Sequence, residues 1–309
     1  MFSFFKRQIP HTSRMITGAP IPQKDRAGLA VVAIMKNEGR HIADWLRFHA
    51  LAGVTDFYLY DDGSTDDAVA RASAVTGINL TVIPWKLTAQ LIAPNTRFSR
   101  QVMAYCHAIE NFGGAYRWMA FIDIDEFIVP KTAPTILDVL NGLEDYSQIS
   151  LPWTMFGPNG HKEPPTEPVF YAYTTRAAAR KDPILNFKCI IDPCDVTEVR
   201  VHRFRSHKMG SDSANDAGVV AHYKGRGEDR FLSDVNLQLN HYYTRSLSEL
   251  EEKLSKGAVS DSTLDRRNRK IREKLEIIEE TAIEDSCAVR FLERHGFPDA
   301  RSFTAANPG

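Results

Sequence analysis

Cysteine is scarce in this sequence of 309 residues, which contains Cys106, Cys189, Cys194 and Cys287 and no others. Four cysteines are too few for a disulfide scaffold in a chain of this length, and the spacing of Cys189 and Cys194 does not match a paired zinc-binding pattern. We therefore expect four reduced thiols and a cytoplasmic protein.

Long hydrophobic runs and an excess of one charge are also missing. No stretch approaches the ~20 apolar residues that span a bilayer, and the first residues lack the features of a secretory signal. Lys and Arg number 38 against 39 Asp and Glu, a formal net charge of -1, so the overall charge provides no field for nucleic acid. We expect no nucleic-acid partner. Membrane contact is at most peripheral, at the inner face, through Phe2, Phe4 and Phe5.

The first third of the chain alternates apolar runs with helical patterns. The composition, 43% hydrophobic and 25% charged, is ordinary for a globular protein. The apolar runs predict strands at Leu29–Met35, Phe57–Tyr60, Ile78–Trp85 and Trp118–Phe127, and the last is preceded by a helix predicted over residues 96–112. Strands separated by helices predict an α/β fold with a mostly parallel sheet and flanking helices.

The pattern is less regular after about residue 150. The polar residues 206–230 predict a mobile loop, and residues 235–243 alternate as in a strand with one buried face. Residues 248–256 and 262–292 predict helices. We divide the chain into a poorly ordered leader (1–27), a main domain (28–260, with halves 28–130 and 131–260) and a helical extension (261–309).

Polar side chains collect where the predicted strands end. They are Asn37 and Glu38 after the first strand, Asp61 and Asp62 after the second, and Asp123 and Asp125 in the fourth. Ligands of open α/β sheets bind in the crevice beyond the carboxyl ends of the strands. Several such ends together therefore predict one binding site.

The segment Asp123-Ile124-Asp125 is the sharpest of these features. Alternation along a strand would place both carboxylates on one side, where two like charges need a cation or hydrogen-bond donors between them. A hard divalent ion satisfies that need. The alternative is a strand end that runs into a solvated loop. Glu126 either orients the ligands from behind or is simply exposed.

Five segments in the same order resemble glycosyltransferase family 92 and its family-2-like bacterial relatives. They are Met35–Glu38, Trp45–His49, Gly53–Asp66, Phe121–Phe127 and Asn240–Ser246. The similarity runs from about residue 29 to residue 257 and covers most of the chain. It implies a GT-A fold, a nucleotide-sugar donor, and a glycan or lipid-linked acceptor.

The resemblance also implies where the nucleotide lies. Lys36, Asn37 and Glu38 would border it, and Asp61 and Asp62 would face its base or ribose. The donor would be a nucleoside diphosphate linked to a sugar.

The implied cofactor is Mn²⁺ or Mg²⁺, held on the diphosphate by Asp123 and Asp125. His241 matches a late histidine of the family and is a candidate third ligand. Alternation also places His241 on the face of Leu237 and Leu239, so a buried structural histidine is the alternative.

Basic side chains would assist departure of the diphosphate by compensating its charge. Arg97 and Arg100 open the helix before the acidic strand, and Lys188 precedes another apolar run. A solvated position on a helix or a strand edge remains the alternative for each.

Transfer to a hydroxyl by a single displacement, with inversion, needs a general base. The candidates are Glu163, Glu228, Asp229 and Asp234, and no spacing argument chooses among them. Trp153 lies near Glu163 in the sequence and could stack on a sugar, although a tryptophan is more often a core residue.

Two other functions fit parts of the sequence. An aspartyl-phosphate phosphatase would use Asp123 as nucleophile and Asp125 as acid, but it usually carries that pair on its first strand. A non-catalytic nucleotide- or sugar-binding module would bind the donor without transfer.

Overall fold

A computed structural model of the chain describes residues 14–87, 90–91, 96–255 and 261–306, with only the backbone described at 90–91, 96–97, 255 and 261–267. The described elements alternate strand and helix in the first half and are mainly strands in the second. In chain order they are β1 (Met15–Ile16), β2 (Leu29–Met35), α1 (Ile42–Leu51), β3 (Asp56–Asp61), α2 (Ala68–Ser73), β4 (Asn79–Pro84), β5 (Gln90–Leu91), β6 (Thr96–Arg97), α3 (Arg100–Phe112), β7 (Trp118–Phe121), β8 (Glu126–Pro130), α4 (Ile136–Leu140), β9 (Gln148–Met155), α5 (Val169–Ala172), β10 (Thr175–Ala177), β11 (Phe187–Ile191), β12 (Val196–Val199), β13 (Phe204–Ser206), β14 (Asp212–Ala214), β15 (Val220–His222), β16 (Leu237–His241), α6 (Leu247–Ser255), α7 (Asp261–Glu280), β17 (Ala282–Glu284), α8 (Cys287–Arg294) and α9 (Ala300–Ala306).

The central sheet is mixed and mostly parallel. Along it the strands follow the order β15-β14-β9-β11-β7-β2-β3-β4, and β16 pairs with both β9 and β8. Strands β7, β2, β3 and β4 run parallel to one another, whereas β11 is antiparallel to β7 and to β9. The predicted α/β class is therefore confirmed, and the parallel half is the part that the alternation predicted.

Strand β2 separates two apolar layers, because its side chains alternate between the faces of the sheet. Leu29 and Val31 belong to a core that also contains Trp45 of α1. Ala30 and Val32 belong to a second core formed with α3. Helices therefore cover both faces, as expected for a sheet whose strands are uniformly apolar.

The predicted strand over residues 118–127 was wrong in its length. Strand β7 ends at Phe121, a turn contains Asp123 and Asp125, and β8 begins at Glu126. Strand β8 then pairs antiparallel with β16 instead of continuing β7. The orientations of Asp123 and Asp125 are therefore set by the turn between β7 and β8, and not by the alternation of side chains along a strand.

Three other predicted elements differ from the structure. Helix α3 begins at Arg100 because Ser99 caps it, accepting a hydrogen bond from the N–H of Val102. The helix predicted over 262–292 is divided into α7 and α8 by β17. Residues 206–230 contain β14 and β15, and the mobility predicted for them is not tested.

Strand β16 is buried on both faces, not on one. It lies between β8 and β9, and further structure covers the second face. Sequence alternation therefore underestimated its burial, because polar residues such as Gln238 and Asn240 are paired inside the protein: the Gln238 amide donates to Asn240 Oδ1 over 2.8 Å.

Part of the predicted leader is placed on the domain. Met15 and Ile16 pair with Val199 and Glu198, and Arg26 donates to both carboxylate oxygens of Asp192 over 2.5 and 2.8 Å. Residues 1–13 lie outside the described residues, and the division at 27, 130 and 260 stays a prediction. Among the described residues, no helix is long and apolar enough to cross a membrane.

His49 makes the stability of this fold sensitive to acid. It is fully buried, its Nδ1 donates to the carbonyl of Trp45 over 2.9 Å, and burial lowers its pKa to about 4. The unfolded chain therefore binds a proton that the folded chain excludes, so the contribution to stability is complete above about pH 6.5 and is lost as the pH falls toward 4.

We predict that His49→Gln flattens the dependence of unfolding free energy on pH between 4.5 and 6.5. One excluded proton corresponds to a slope of about 1.4 kcal/mol per pH unit. Urea titrations at several pH values measure that slope, and His295→Gln, at the half-buried end of α8, is the control. An unchanged slope in the His49 variant would contradict the argument.

Candidate active site

A pocket of about 430 Å³ opens at the carboxyl edge of the parallel strands. Its walls come from the loop after β2, the start of α1, the turn after β7, the segment after β16 and helix α6. The lining residues are Lys36, Asn37, Glu38, Arg40, His41, Asp66, Asp125, Tyr243, Thr244, Arg245, Glu249, Glu252 and Lys253. Of the side chains predicted at the strand ends, Asn37, Glu38 and Asp125 line this pocket, together with Lys36.

Asn37 ties the loop after β2 to the loop after β3, which contributes Asp66 to the pocket. Its backbone is left-handed, with φ of 56°, a conformation that asparagine tolerates better than most residues. In this position its N–H donates to Ser64 Oγ over 3.0 Å, and its Oδ1 accepts from the N–H of Thr65 over 2.7 Å. The side chain of Asn37 thus organises the pocket wall.

Asp61 and Asp62 lie beside this pocket and do not line it. Asp61 accepts from the N–H of Ser64 over 2.9 Å and so shapes the turn after β3. Asp62 forms an ion pair with Arg100, the first residue of α3. The side chain of Arg97 lies outside the described residues. Contact of these residues with a nucleotide stays a prediction.

Asp123 is held by two donors on neighbouring elements. Its Oδ2 accepts from Lys188 Nζ over 2.7 Å and its Oδ1 from the amide of Gln101 over 2.8 Å. Lys188 lies on β11, and its side chain is only 1% exposed. The alternative of a solvated charge is therefore wrong for Lys188, which is a buried cation paired inside the site.

Glu126 is fully buried, so the exposed alternative is wrong for this residue as well. Its Oε1 accepts from the indole of Trp153 over 2.7 Å, and its Oε2 accepts from the N–H of Asp123 over 2.9 Å. Lys188 Nζ lies 3.4 Å from the same Oε2. Glu126 therefore stabilises the turn through its hydrogen bond with Asp123 and holds the indole of Trp153 in place.

Burial and ion pairing shift the pKa values of Glu126 and Lys188 in opposite directions. Burial raises the pKa of Glu126 to about 8, although Lys188 opposes that rise. Burial also disfavours the charged form of Lys188, but Asp123 and then Glu126 outweigh it and hold its pKa well above the usual range. One buried cation therefore serves two carboxyl groups.

Asp125 lines the pocket, unlike Asp123 and Glu126, and it lies beside His241. Its Oδ1 lies 3.5 Å from His241 Nε2, and its Oδ2 accepts from Lys253 Nζ over 3.1 Å. Burial disfavours the carboxylate, but Lys253 and then His241 outweigh it, so the pKa of Asp125 lies well below the ordinary value. Asp125 is therefore an anion in the folded protein.

Asp125, Glu126 and His241 could together hold a metal ion. One ligand atom from each lies within 4.8 Å of the others, and His241 Nδ1 is a buried nitrogen with no hydrogen-bond partner within the described structure. Two carboxylates and an imidazole suit a divalent ion of the Mn²⁺ or Mg²⁺ type. Two of the three predicted ligands, Asp125 and His241, belong to this cluster. Asp123 is engaged by Lys188 and Gln101 instead.

Arg245 forms a second positive group on the pocket wall. Its backbone is left-handed, with φ of 52°, which turns the chain after β16, and its Nη1 donates to Glu38 Oε2 over 3.0 Å. Its Nε and Nη2 are buried without a hydrogen-bond partner in the described structure. Glu38 therefore holds a guanidinium beside Asp125.

The predicted bases lie outside this pocket. Glu163, Glu228 and Asp229 are exposed, and Glu228 forms an ion pair with Arg230 over 2.8 Å. Asp234 pairs with Arg180 and lies 3.7 Å from Lys131. The role of each as a base stays a prediction.

Sequence reasoning missed Arg245, Glu249 and Lys253. One signal was available: Ser246 and Glu249 have the spacing of a helix capping box. The N–H of Ser246 does donate to Glu249 Oε2 over 3.1 Å, and the N–H of Glu249 donates to Ser246 Oγ over 3.3 Å. That box starts α6 and directs Lys253, two turns on, toward Asp125. A pattern that predicts a helix does not by itself show what the helix faces.

Comparison with known proteins gives the class to which this chain belongs. The sequence pattern of glycosyltransferase family 92 matches residues 33–275, which is most of the chain and includes every wall of the pocket. This protein belongs to glycosyltransferase family 92, an enzyme family, and the predicted resemblance is confirmed.

Curated relatives in plants share modest identity with it. A glycosyltransferase family 92 protein of Ricinus communis is 26% identical over 156 residues, which is 48% of this chain and 26% of that protein. One from Oryza sativa subsp. japonica is 27% identical over 49% of this chain and 25% of its own length. One from Arabidopsis thaliana is 24% identical over 72% of this chain and 40% of its own. The chain thus spans well under half the length of these relatives.

A solved structure shows a weaker likeness. The mannosyltransferase Ktr4p from S. cerevisiae aligns with 47% of this chain and 44% of its own, at 10% identity and a TM-score of 0.28. A TM-score this low does not establish a shared fold.

We predict that Lys188→Met destabilises the protein by about 3 to 5 kcal/mol, because it leaves the fully buried Glu126 and the partly buried Asp123 without their cation. Urea unfolding measures the change. Lys162→Met, at an exposed lysine, should change stability by less than about 0.5 kcal/mol. Equal effects of the two substitutions would show that the buried pairing contributes nothing.

Proposed function

We propose that this protein is a metal-dependent glycosyltransferase that moves a sugar from a nucleoside diphosphate to an acceptor hydroxyl, with inversion. Membership of family 92 supports sugar transfer. The observation that carries the finer proposal is the cluster of Asp125, Glu126 and His241, of which Asp125 lines the same pocket as Arg245 and Lys253.

The charges of the pocket suit a diphosphate that arrives with a cation. Arg40, Arg245 and Lys253 line it together with the acidic groups. Arginine and lysine are the usual partners of phosphate oxygens, and arginine can bind them with two parallel hydrogen bonds. The unpartnered Nε and Nη2 of Arg245 are donors that a small shift of this side chain would make available.

Asp125, Glu126 and His241 would hold Mn²⁺ or Mg²⁺, which when bound supplies positive charge against the diphosphate oxygens. Asn37 and Glu38 would border the nucleotide from the loop after β2. The acceptor would be a glycan or a lipid-linked acceptor.

We predict that Asp125→Asn abolishes the Mn²⁺-dependent binding of UDP or GDP, because it removes the charged ligand that faces the pocket. Isothermal titration with each nucleotide, with Mn²⁺ and with EDTA, measures this. Asp145→Asn, at an exposed acid outside the pocket, should bind as the wild type does. Undiminished binding by the Asp125 variant would refute the proposed site.

Turnover separates the proposed function from the two alternatives. A transferase releases UDP or GDP slowly from UDP-glucose, UDP-galactose or GDP-mannose even when water is the acceptor, whereas a binding module binds and releases nothing. Release of phosphate from 4-nitrophenyl phosphate would instead favour the phosphatase.

Lys253 provides a second test, because its ammonium occupies the carboxylate that a metal ion would need. With Lys253 Nζ 3.1 Å from Asp125 Oδ2, this ammonium would repel a metal ion bound to the same carboxylate. We predict that Lys253→Met binds Mn²⁺ at least about threefold more tightly than the wild type in the absence of nucleotide, since loss of a like charge near an ion is worth about 1 kcal/mol.

Titration of Mn²⁺ followed by electron paramagnetic resonance measures this affinity. Lys224→Met, at an exposed lysine away from the pocket, is the control for a general change in net charge. Weaker or equal Mn²⁺ binding by the Lys253 variant would mean that the two cations do not compete for Asp125.

A further inference from the structure

A second cavity, of about 340 Å³, lies at the beginning of β16. Its polar lining residues are Thr132 after β8, Asp138 on α4, Asp216 after β14 and Asn236, which directly precedes β16. The other residues that line it are small or apolar, and none of the lining residues is basic. The two acids of this cavity therefore receive no compensating charge from its own wall.

Asp216 is the residue that points to a ligand. It is only 1% exposed, and its Oδ2 accepts from the N–H groups of Asn236 and Leu237 over 2.6 and 2.9 Å. Its Oδ1 is buried and has no hydrogen-bond partner within the described ranges of the chain. A buried carboxylate oxygen without a partner carries its full desolvation cost. An ion bound to Oδ1 would remove that cost.

Neither a proton nor a neighbouring lysine supplies this partner. A hydrogen on Asp216 Oδ1 would be a buried donor that lacks an acceptor, which is no less costly than the unpaired oxygen. Lys131 is the basic residue next to Thr132, but its Nζ lies 3.7 Å from Asp234 and so faces a different acid. A cation from outside the chain is the partner that suits Asp216.

Other oxygen atoms lie in one hydrogen-bonded network with Asp216. The amide of Asn236 donates to the Asp216 carbonyl oxygen over 2.9 Å, and its Oδ1 accepts from the Thr132 hydroxyl over 2.8 Å. The hydroxyl thus uses its hydrogen on Asn236 and keeps a lone pair. Asp138 accepts from the N–H and the hydroxyl of Thr135 through Oδ2 alone, which leaves its Oδ1 for a ligand.

We propose that this cavity is a structural calcium site, held by Asp216 and Asp138 with the neutral oxygens of Asn236 and Thr132. Calcium takes about six to eight oxygen ligands in a flexible geometry that includes water, whereas Mg²⁺ demands a near-ideal octahedron. The lining residues include no imidazole or thiolate, the ligands that favour transition metals. The site does not depend on the proposed function.

This site is separate from the cluster around Asp125, although one ladder of strands connects the two. Leu237 pairs with Pro130 at the calcium end of the β8–β16 ladder, and His241 pairs with Glu126 at the other end. At about 3.3 Å per residue, Leu237 and His241 are roughly 13 Å apart along the strand. One ion therefore cannot occupy both sites. Calcium would instead hold in place the ladder that carries Glu126 and His241.

Asp125→Asn is the protein in which calcium binding is best measured, because calcium could also bind at the acidic turn. Isothermal titration of this variant with CaCl₂ should show one ion per chain. We expect a Kd between about 10⁻⁵ and 10⁻³ M, the range of calcium sites with few charged ligands or little rigidity. MgCl₂ should bind at least about tenfold more weakly, and equal affinity for the two ions would contradict the assignment to calcium.

Asp216→Asn, added to Asp125→Asn, tests the central ligand. The asparagine carbonyl oxygen can still accept from the N–H groups of Asn236 and Leu237, but an amide nitrogen replaces the unpartnered oxygen. We predict that this substitution weakens calcium binding at least about thirtyfold.

Asp138→Asn is a second variant on a different element, and it tests the site even where Asp216→Asn does not fold. It keeps an oxygen for the capping contacts with Thr135 and removes the charge. Calcium binding should weaken at least about fivefold. Asp25→Asn, at an exposed acid outside both cavities, should bind calcium as its parent does.

Thermal unfolding separates a ligand from a merely structural acid. At a calcium concentration of about one hundred times the Kd, mass action should raise the Tm of Asp125→Asn by roughly 4 °C relative to EDTA. The same addition should leave the Tm of the Asp216→Asn protein unchanged. A purely structural role for Asp216 would change the Tm equally in calcium and in EDTA.

Two results would overturn the proposal. One is an Asp125→Asn protein that binds no calcium at millimolar concentration. The other is calcium binding that persists undiminished in both Asp216→Asn and Asp138→Asn. Neither result bears on the binding of UDP or GDP in the pocket of Asp125, so this inference and the proposed function fail separately.

Discussion

The buried ammonium of Lys188 is the interaction on which the rest of the site depends. It lies on β11, and the antiparallel pairing of β11 with β7 brings it against the turn that follows β7. There it neutralises Asp123 and approaches Glu126 over 2.7 and 3.4 Å. Without that cation, the buried Glu126 and the partly buried Asp123 would lie unpaired side by side, at a high cost in free energy. The ion pairs of Lys188 with Asp123 and Glu126 therefore hold the turn against β11.

This arrangement divides the acids of the turn into two kinds. Asp123 and Glu126 point toward Lys188 and are structural in their contacts, whereas Asp125 points into the pocket beside His241. Glu126 belongs to both groups, since one oxygen fixes Trp153 and the residue also lies within the metal-binding cluster. A single buried acid thereby fixes the indole of Trp153, against which His241 packs.

Helix α6, which lies near the C-terminal end of the chain, forms another wall of the pocket. Helix α6 begins at a capping box and carries Glu249 and Lys253 into the wall. Glu249 accepts from His41 at the start of α1 over 2.7 Å, so the first and last walls are joined directly. Lys253 on Asp125 means that the pocket holds its own internal cation beside the one acid of the turn that lines it.

The sequence by itself determined the α/β class, the parallel half of the sheet and the family. Uniformly apolar runs such as Leu29–Met35 favour strands of a parallel sheet that is covered on both faces. The motifs that carry the family resemblance are short segments of consecutive residues, so they can be recognised without the fold. It also placed Asn37, Glu38 and Asp125 at one edge, because parallel strands end on the same side.

The sequence did not determine which way each acid of the turn points, or that β16 is buried on both faces. The orientation of the acids depends on Lys188, Arg245 and Lys253, which reach the site from distant elements. Charge pairing across 65 or more positions of sequence leaves no periodic trace in the chain, so only the tertiary structure decides it.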